Sequence, residues 1–250
     1  MHGGDTTIGG IGGSFEETRW TRIIKAKKSD TEVRRKAVAE LLDSCWKPIY
    51  LTIRHGWHRN NEEAKDLTQD FIAKLLEQDF LAGLDPGRGS FRGFIKATLR
   101  NFMRDEYRSA RQLKRGGGNV PIDMDVSDVA DYVPSEAEAP EAMLDREWAR
   151  QVLQEAVQKL RTDLRTEGKE RQLAIFEEYQ TWQAAGRSLS QEEIAQAEGI
   201  SLDRVEYAMT DCRARLRNFV ETRLRQYCEN AEQLASEMDA ISALGKLPLD

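Results

Sequence analysis

Residues 91–115 constrain the fold most, because two helical patterns are superimposed in this stretch. Apolar residues recur there at intervals of three and four, which predicts a helix with one buried face. Basic residues recur every four positions and predict a slowly rotating cationic stripe on the same helix. The apolar set is Phe91, Phe94, Ile95, Leu99, Phe102 and Met103, and the basic repeat is Arg92, Lys96, Arg100, Arg104 and Arg108, which Arg111, Lys114 and Arg115 then follow. Such a surface suits phosphate contacts and stacking on unpaired bases, and a solvated surface helix is the alternative.

The composition limits the classes of protein to which this chain can belong. Charged residues make up 32% of it, and no apolar run reaches the ~18 residues that span a bilayer. Residues 1–14 are glycine-rich and lack the basic and apolar blocks of a signal peptide, so a flexible arm and a cytoplasmic protein are expected. The net charge of −6 argues against a protein that coats nucleic acid, so binding must come from local basic patches. Cys45, Cys212 and Cys228 are too few and too scattered for a disulfide framework and are expected to be buried.

Residues 15–77 have helical spacing throughout, and Pro48 is expected to kink or break the second helix in this stretch. Asn60 or Asn61 can cap the next helix, which runs to residue 77. The inner face of that helix is Ala64, Leu67, Phe71 and Leu75, and its outer face is Glu63, Asp66, Gln69, Asp70 and Lys74. This outer face is either a docking surface for a partner or, as is commoner for helix exteriors, merely solvated.

The composition changes abruptly after the basic stripe. Residues 116–145 contain eight acidic residues and no basic one, open with three glycines and are interrupted by three prolines. A segment of this composition cannot bury enough apolar surface to fold alone, so a flexible acidic linker is predicted at residues 116–141. We therefore predict an all-α protein with two small helical domains, at residues 15–115 and 142–225, and a helical extension at residues 226–250.

The second predicted domain contains the pattern of a helix-turn-helix. Ser190 opens a capping box and a short helix, which ends at Gly199. Ser201 then caps a second helix. Ala195 before the turn and Val205 after it supply the small and apolar residues needed where the two helices cross. A plain helical hairpin is the alternative.

Beyond residue 226, apolar residues at helical spacing predict one further amphipathic helix. The apolar stripe is Leu234, Met238, Ile241 and Leu244. A helix this short is marginal in water unless its apolar face is buried. It must therefore dock on its own helix-turn-helix domain, on the first domain or on another protein, and it either extends the local core or regulates the protein.

No catalytic or metal-binding pattern emerges from the sequence. His55 and His58 are close neighbours but lack the cysteines or acidic residues of a zinc site. The stretches GRGSFRG and KRGGGN do not match a phosphate-binding loop, because the first has no preceding strand and the second lacks a Lys-Ser or Lys-Thr ending. No acidic pair has a recognisable catalytic spacing. We therefore expect no enzyme activity, no cofactor and no metal.

The order of these features resembles the sigma-70 family of sigma factors, and in particular the extracytoplasmic-function type. The resemblance covers approximately residues 15–225 and is carried by DLTQDFIAKLLE, GRGSFRGFIKATLRNFMRDEYR followed by KRGGG, and SQEEIAQAEGISLDRVEYAMTDCRARLR. DLTQDF and KRGGG look like the subgroup common in planctomycetes. The family implies a sigma-2-like helical bundle followed by a sigma-4-like helix-turn-helix domain. Core RNA polymerase and promoter DNA are the implied partners, and an anti-sigma factor or a regulatory kinase is a further candidate.

The resemblance also implies three groups of functional residues. The residues that would dock on the clamp helices of the largest polymerase subunit are Asp66, Gln69 and Asp70. Those that would engage and open the −10 promoter element are Arg92, Lys96, Arg100, Asn101, Arg104 and Arg108. Those that would contact the −35 element are Ser201, Arg204, Tyr207, Arg213 and Arg217. The acidic linker would thread toward the polymerase active cleft and the RNA exit path.

The second helix of the helix-turn-helix departs from many relatives. Tyr207 and Ala208 stand where Ser and Arg are common, and Asp211 stands where a basic residue is common, so an unusual −35 sequence is expected.

Two other functions compete with the sigma factor. One is a helix-turn-helix repressor or activator that binds duplex DNA alone, and the other is an interaction protein such as an anti-sigma antagonist. The basic aromatic helix and the DLTQDF face favour the sigma factor, because a lone regulator needs neither.

Overall fold

The computed structural model describes residues 31–43, 45–77, 90–112, 138–184 and 190–244. These residues form helices and short connections with no strand among them, which confirms the all-α prediction. No helix in these ranges is long and apolar enough to cross a membrane. The predicted arm at residues 1–14 and most of the predicted linker lie outside the described residues.

The helices are α1 (Thr31–Asp43), α2 (Trp46–Leu51), α3 (Asn61–Leu75), α4 (Phe91–Gln112), α5 (Pro140–Thr166), α6 (Glu170–Ala184), α7 (Gln191–Glu198), α8 (Leu202–Arg225) and α9 (Ala231–Leu244), and a π-helical turn at Thr52–Gly56 continues α2. Several of these boundaries follow from local sequence signals. Asn60 caps α3 and Ser190 caps α7, each in a reciprocal capping box with the glutamate three residues later. Gly199 ends α7 in the left-handed conformation at φ 63°, which glycine adopts without steric penalty. Ser201 occupies the N-cap position of α8, as predicted, but its side chain makes no capping hydrogen bond.

The helix break expected at Pro48 comes earlier in the chain. Helix α1 ends at Asp43 and α2 begins at Trp46, so Pro48 lies within the first turn of α2. Proline is tolerated there because its missing N–H would have no acceptor within the helix. Its carbonyl oxygen accepts a 2.7 Å hydrogen bond from Thr52 Oγ1 in the π-helical turn.

Helix α4 has the buried face that its spacing predicts. The α4 residues at most 4% exposed are Phe91, Ile95, Leu99, Phe102 and Met103. Phe94, which was predicted for the same face, is half-buried. Phe102 packs against Phe71 of α3 with ring centroids 5.4 Å apart, and this contact holds α3 beside α4.

The buried face of α3 is wider than the inner face predicted from the sequence. Ala64, Phe71 and Leu75 are buried as expected, but Thr68 and Ile72 are buried as well, and Leu67 is only half-buried. The hydroxyl of Thr68 donates a 2.6 Å hydrogen bond to the carbonyl oxygen of Ala64, so its burial leaves no donor unsatisfied.

Helix α5 packs against both halves of the chain, namely helices α1–α4 before the predicted linker and helices α6–α9 after it. It contacts α2, the π-helical turn and α4 from the N-terminal half, and α6, α8 and α9 from the C-terminal half. The apolar residues that recur at helical spacing along α5 are all buried, namely Met143, Leu144, Trp148, Val152, Leu153, Val157 and Leu160. Gly56 approaches the start of α5 so closely that a Cβ there would lie 3.2 Å from the Cα of Pro140. A larger residue at Gly56 would therefore push the π-helical turn and α5 apart.

The two halves of the chain share one hydrophobic core. Phe91 of α4 stacks on Tyr227, which follows α8, with ring centroids 5.8 Å apart. The same ring lies 6.1 Å from Trp148 of α5. The division into two domains at residues 116–141 stays a prediction, but the contact between the halves is a feature that no local pattern indicated.

A second, smaller core holds the predicted helix-turn-helix segment together. Its buried members are Ile175 of α6, Ile194 and Ala195 of α7, and Val205, Ala208 and Met209 of α8. Helix α6 therefore supplies a platform against which α7 and the start of α8 both pack.

Helix α9 docks its apolar face on its own chain. Leu234 and Ile241 are 5% and 2% exposed, Met238 is partly buried against the same core, and Leu244 is 42% exposed. The helix contacts α8 and α5. Of the two explanations for its apolar stripe, the structure supports docking on the core of the chain.

The three cysteines are free and buried, as predicted. Burial raises the pKa of the Cys45, Cys212 and Cys228 thiols, that of Cys228 to about 12. Because only the thiolate is a good nucleophile, these residues act as small apolar side chains.

Candidate nucleic-acid interface

The basic stripe of α4 is divided into a covered part and an exposed part. Arg92 and Lys96 are 15% and 31% exposed, and each bonds to a carboxylate from the C-terminal half. Arg100 is 56% exposed and lies 3.8 Å from Glu141 of α5. The other residues of this helix that the family resemblance implies for the −10 element are exposed, namely Asn101, Arg104 and Arg108. Lys114 and Arg115, at the end of the stripe, lie outside the described residues.

Arg92 is the centre of an ion cluster that joins three helices. Its Nε and Nη2 donate to the carboxylate of Glu237 on α9 at 2.8 and 3.2 Å, and its Nη1 donates to Asp145 of α5. Lys96 Nζ donates to the other oxygen of Asp145 at 2.6 Å. Burial by itself would lower the pKa of Arg92, but the hydrogen bond and charge of Glu237, followed by those of Asp145, outweigh burial and raise it. Arg92 is therefore a permanent cation whose donors point at carboxylates of its own chain.

Asp145 and Glu237 are candidate functional residues that the sequence analysis missed. Asp145 belongs to the acidic stretch, yet it lies in the second turn of α5. Glu237 follows Leu234 by three residues and precedes Ile241 by four, so it lies on the buried face of α9 and is 5% exposed. A carboxylate at a buried position requires a partner. This interruption of the apolar stripe is the signal that would have predicted an ion pair.

The second half of α4 presents polar and aromatic groups to solvent. Asn101, Arg104 and Arg108 are exposed, and Tyr107 is 55% exposed. An asparagine amide offers a donor and an acceptor in one group, and an arginine holds phosphate oxygens with two parallel hydrogen bonds. An exposed aromatic ring can stack on an unpaired base. This surface is therefore chemically suited to a separated or flipped-out DNA strand.

The outer face of α3 carries carboxylates that repel one another. Asp66 is exposed, while Gln69 and Asp70 are half-buried beside it. Burial, followed by the charges of Glu106 on α4 and of Asp66, raises the pKa of Asp70. The ionised carboxylate of Asp70 is therefore unfavourable in the folded chain, and a cationic partner would relieve the repulsion. The structure thus brings the three predicted docking residues together on one acidic surface that also includes Glu106.

The predicted contact residues of α8 do not form a single cluster. The exposed ones are Ser201, Arg204, Tyr207 and Arg217, and Arg213 is half-buried. Tyr207 is 70% exposed and stands at the middle of the solvent face. Arg204 and Arg213 are separated by about two and a half helical turns, so they lie on opposite flanks of that face.

Ala208 and Asp211, two of the positions at which α8 departs from the pattern that the family resemblance implies, contact other parts of their own chain. Ala208 is 4% exposed and belongs to the small core under α8. Asp211 Oδ2 accepts hydrogen bonds from Gln172 Nε2 of α6 at 2.6 Å and from Arg215 Nε at 2.8 Å. Among the three departures, Tyr207 is therefore the one that a partner of α8 would meet.

Arg215 ties α8 to the junction between α5 and α6. Its Nη1 and Nη2 donate to the two oxygens of Glu167 at 2.6 and 2.9 Å. The hydrogen bond from Arg215, followed by that from Lys169, lowers the pKa of Glu167 to about 2. Because the pKa of Glu167 is lower in the folded chain than its usual value, the ion pair between Glu167 and Arg215 stabilises the fold at pH values above the usual pKa of a glutamate. This contribution is lost as the pH falls toward 2.

Metal-binding geometry does not occur in the described ranges, where no group of three or more His, Cys, Asp or Glu side chains could hold an ion. Burial, followed by the charges of Arg54 and His58, lowers the pKa of His55. The imidazole of His55 is therefore uncharged at neutral pH.

Residues 46–112 match the family model described as sigma-70 region 2. The matched segment is just over a quarter of the chain. It runs from the start of α2 to the end of α4, and it includes both the acidic surface of α3 and the whole basic helix. No curated protein and no solved structure matches the chain.

Proposed function

We propose that this chain is a sigma-70 family sigma factor, which directs RNA polymerase to promoters and helps to open them. The match to sigma-70 region 2 supports this proposal. The observation that carries the proposal is that the matched segment holds an acidic surface on α3 and an exposed Asn-Tyr-Arg surface on α4. The extracytoplasmic-function type and the planctomycete-like subgroup are the finer part of the proposal, and sequence resemblance supports them.

In this proposal the exposed half of α4 binds the −10 element on separated strands. A base drawn out of the duplex exposes its pairing edge, which Asn101 can read with its amide donor and acceptor. Arg100, Arg104 and Arg108 neutralise the neighbouring phosphates. Tyr107 offers a ring on which an unpaired base can stack. Because these base contacts form only with unpaired bases, binding shifts the promoter toward its open form.

Helix α8 is proposed to lie in the major groove of the −35 element. Arg204 and Tyr207 are near the start of the helix, the end that usually meets base edges. Arg213 and Arg217 are further along and are placed to meet phosphates. The exposed Tyr207 supports an unusual −35 preference, because a phenol contacts bases differently from the serine found in many relatives.

Run-off transcription with purified core RNA polymerase tests the proposed function. A library of promoter fragments serves as template, and we expect promoter-specific transcripts only when this chain and core polymerase are both present. A stand-alone helix-turn-helix regulator would instead bind duplex DNA without core polymerase and would direct no transcript. That second result would reject the sigma-factor function.

Replacing both Asp66 and Asp70 by Lys should weaken binding of core polymerase by about tenfold or more, because a basic docking site would then face like charge. The same double variant should melt no earlier than the unaltered protein, since the raised pKa of Asp70 shows that its negative charge disfavours the fold. Pull-down of core polymerase and a thermal melt measure the two effects. Lys at both Asp43 and Glu77, two exposed carboxylates of the same half, is the charge-matched control. Undiminished pull-down by the Asp66 and Asp70 variant would reject this docking surface.

Replacing Arg204 by Ala should change which −35 sequences are preferred, by about 1–3 kcal/mol at the contacted base pair. Replacing Arg213 by Ala should lower affinity evenly across sequences and reduce the slope of log affinity against log salt by about one. Selection from a randomised −35 library and salt titrations of the holoenzyme measure both. Equal effects of the two variants on sequence preference would contradict the assignment of Arg204 to bases and Arg213 to phosphates.

A further inference from the structure

Helix α8 contains four acidic residues, and three of them have a role within the folded chain. Asp211 Oδ2 accepts a 2.8 Å hydrogen bond from Arg215 Nε, and Glu221 accepts one from Arg225. An acidic residue four positions before an arginine stabilises the surface of a helix. Asp203 lies in the first turn of α8, where the partial positive charge of the helix N-terminus favours a carboxylate.

The fourth acidic residue, Glu206, has no such role. It lies beyond the first turn, and the residue four positions later is Thr210, which cannot form an ion pair with it. The side chain of Glu206 is exposed and forms no hydrogen bond or ion pair with the residues that the structure describes. Its carboxylate is therefore available to a group outside this part of the chain.

The packing under α8 fixes the position of Glu206. The neighbouring residues Val205 and Met209 are 0% and 1% exposed and belong to the small core that α8 shares with α6 and α7. Because successive residues of a helix are rotated by about 100°, Arg204 and Glu206 lie on opposite sides of Tyr207, which is 70% exposed. The solvent face at the start of α8 thus presents a cation, a phenol and an anion side by side.

A carboxylate in this position can distinguish one base from the other three. An ionised carboxylate accepts hydrogen bonds and cannot donate them. In the major groove guanine presents two acceptors, and thymine presents an acceptor and a methyl group. Adenine has an amino donor, but the acceptor N7 lies beside it. Cytosine presents its N4 amino donor without a neighbouring acceptor, so it is the base that suits a carboxylate best.

The negative charge of Glu206 makes this selection stricter. DNA phosphates repel a carboxylate that enters a groove, so Glu206 lowers the affinity of α8 for DNA in general. A hydrogen bond from cytosine offsets that repulsion, whereas the acceptors of guanine and thymine add to it. A repulsive group of this kind increases specificity by rejecting wrong sequences.

We propose that Glu206 is a specificity-determining residue of α8, and that its carboxylate accepts a hydrogen bond from the N4 amino group of a cytosine in the −35 element. This inference rests on the proposed function, because it requires α8 to lie in the major groove. It names a contact that the −35 residues implied by family resemblance do not include. The −35 element accordingly contains one position at which cytosine is required on the strand that faces Glu206.

The experiment selects bound duplexes from a library with a randomised −35 region and sequences them. The full chain is used both alone and as holoenzyme with core RNA polymerase. We expect cytosine at one position to be enriched by about tenfold over the other bases, the usual effect of one good base contact.

Two substitutions at residue 206 should change the selected base in different ways. Glu206→Gln supplies a donor and an acceptor, which pair with the N6 and N7 atoms of adenine, so adenine should replace cytosine at that position. Glu206→Arg should select guanine, whose O6 and N7 accept from a guanidinium. Loss of the cytosine enrichment in both variants is the deciding result.

Glu232→Gln is the matched control, because it makes the same chemical change at an exposed position of α9, beyond the far end of α8. We expect this control to select the same bases as the unaltered chain. Exposed substitutions usually change the free energy of unfolding by less than about 0.5 kcal/mol. Circular dichroism should therefore show equal helical content and equal thermal melting for all the variants.

Three further results have distinct meanings. If cytosine is not enriched, or if the Glu206 variants select the same bases as the control, cytosine recognition is overturned, while promoter-specific run-off transcription would still support the sigma factor. If the variants select the same bases but bind core polymerase more weakly in a pull-down, Glu206 contacts a protein and cytosine recognition is again overturned. If the base changes as expected but no promoter-specific transcript forms with core polymerase, the role of Glu206 is supported and the sigma-factor function is rejected.

Discussion

Replacing Asn101 by Ala should abolish most promoter opening, lowering formation of the open complex by roughly 10- to 100-fold. The amide of Asn101 is exposed on α4 and can donate to and accept from one flipped base at the same time. Loss of a good two-bond base contact reduces binding by about 1–3 kcal/mol, and each 1.4 kcal/mol is about tenfold. The effect should appear in the opening step, because the contact forms only with an unpaired base.

Permanganate reactivity of unpaired thymines in the −10 region measures this opening, and pull-down of core polymerase measures assembly of the holoenzyme. We expect the Asn101→Ala variant to lose permanganate reactivity while its binding to core polymerase is unchanged. Asp105→Ala, at another exposed position of α4, is the control for a general disturbance of the helix. Normal opening by the Asn101 variant would remove this residue from the −10 contact.

Replacing Phe91 by Ala should lower the free energy of unfolding by about 3–5 kcal/mol, the usual loss when a buried aromatic side chain is truncated in a core. The ring is 1% exposed and packs against both Tyr227 and Trp148, which come from the other half of the chain. Truncation therefore leaves a cavity at the junction of the two halves. Because whole domains are stable by only about 5–15 kcal/mol, the variant should unfold at a much lower denaturant concentration.

Urea unfolding followed by circular dichroism provides the free energy. Tyr107→Ala removes an aromatic side chain from the exposed side of the same helix, where 55% of it faces solvent. That control should change stability by no more than about 0.5 kcal/mol. A loss below about 1 kcal/mol in the Phe91 variant would mean that this ring is not buried between the two halves in solution.

Much of the helical structure could be predicted because its signals are local. The spacing of Phe91, Ile95 and Leu99 predicts the buried face of α4, the capping box at Ser190 predicts where α7 begins, and an asparagine cap at position 60 or 61 predicts the start of α3 to within one residue. Each of these signals involves residues within about one or two turns of each other. Thr68 and Ile72 were not predicted to be buried, because the width of a buried face depends on which helices surround it.

The candidate site was predictable in its chemistry and only partly in its geometry. Asn101, Arg104 and Arg108 are exposed, as a contact surface requires, but Arg92 and Lys96 of the same stripe are covered. A repeat of four residues places the basic side chains along one helix, but it contains no information about what packs over the first two turns of that helix. Likewise, Ala208 could be interpreted as a change in DNA specificity until its burial in the small core that α8 shares with α6 and α7 showed that it contacts other helices.

The sequence by itself predicted the helical pattern of α3, α4, α7, α8 and α9, where several of these helices begin and end, and which stretch of the chain is cationic. These properties depend on backbone hydrogen bonds and side-chain spacing over a few residues. Only the tertiary structure decided that the two halves share a core, and that Arg92 bonds to carboxylates 53 and 145 residues away in the chain. Glu237 interrupts the apolar stripe of α9, which indicates that it has a cationic partner but does not identify that partner, because any basic residue satisfies the same local pattern. Its partner is selected by the packing of α4, α5 and α9 against one another, which is a property of the folded chain.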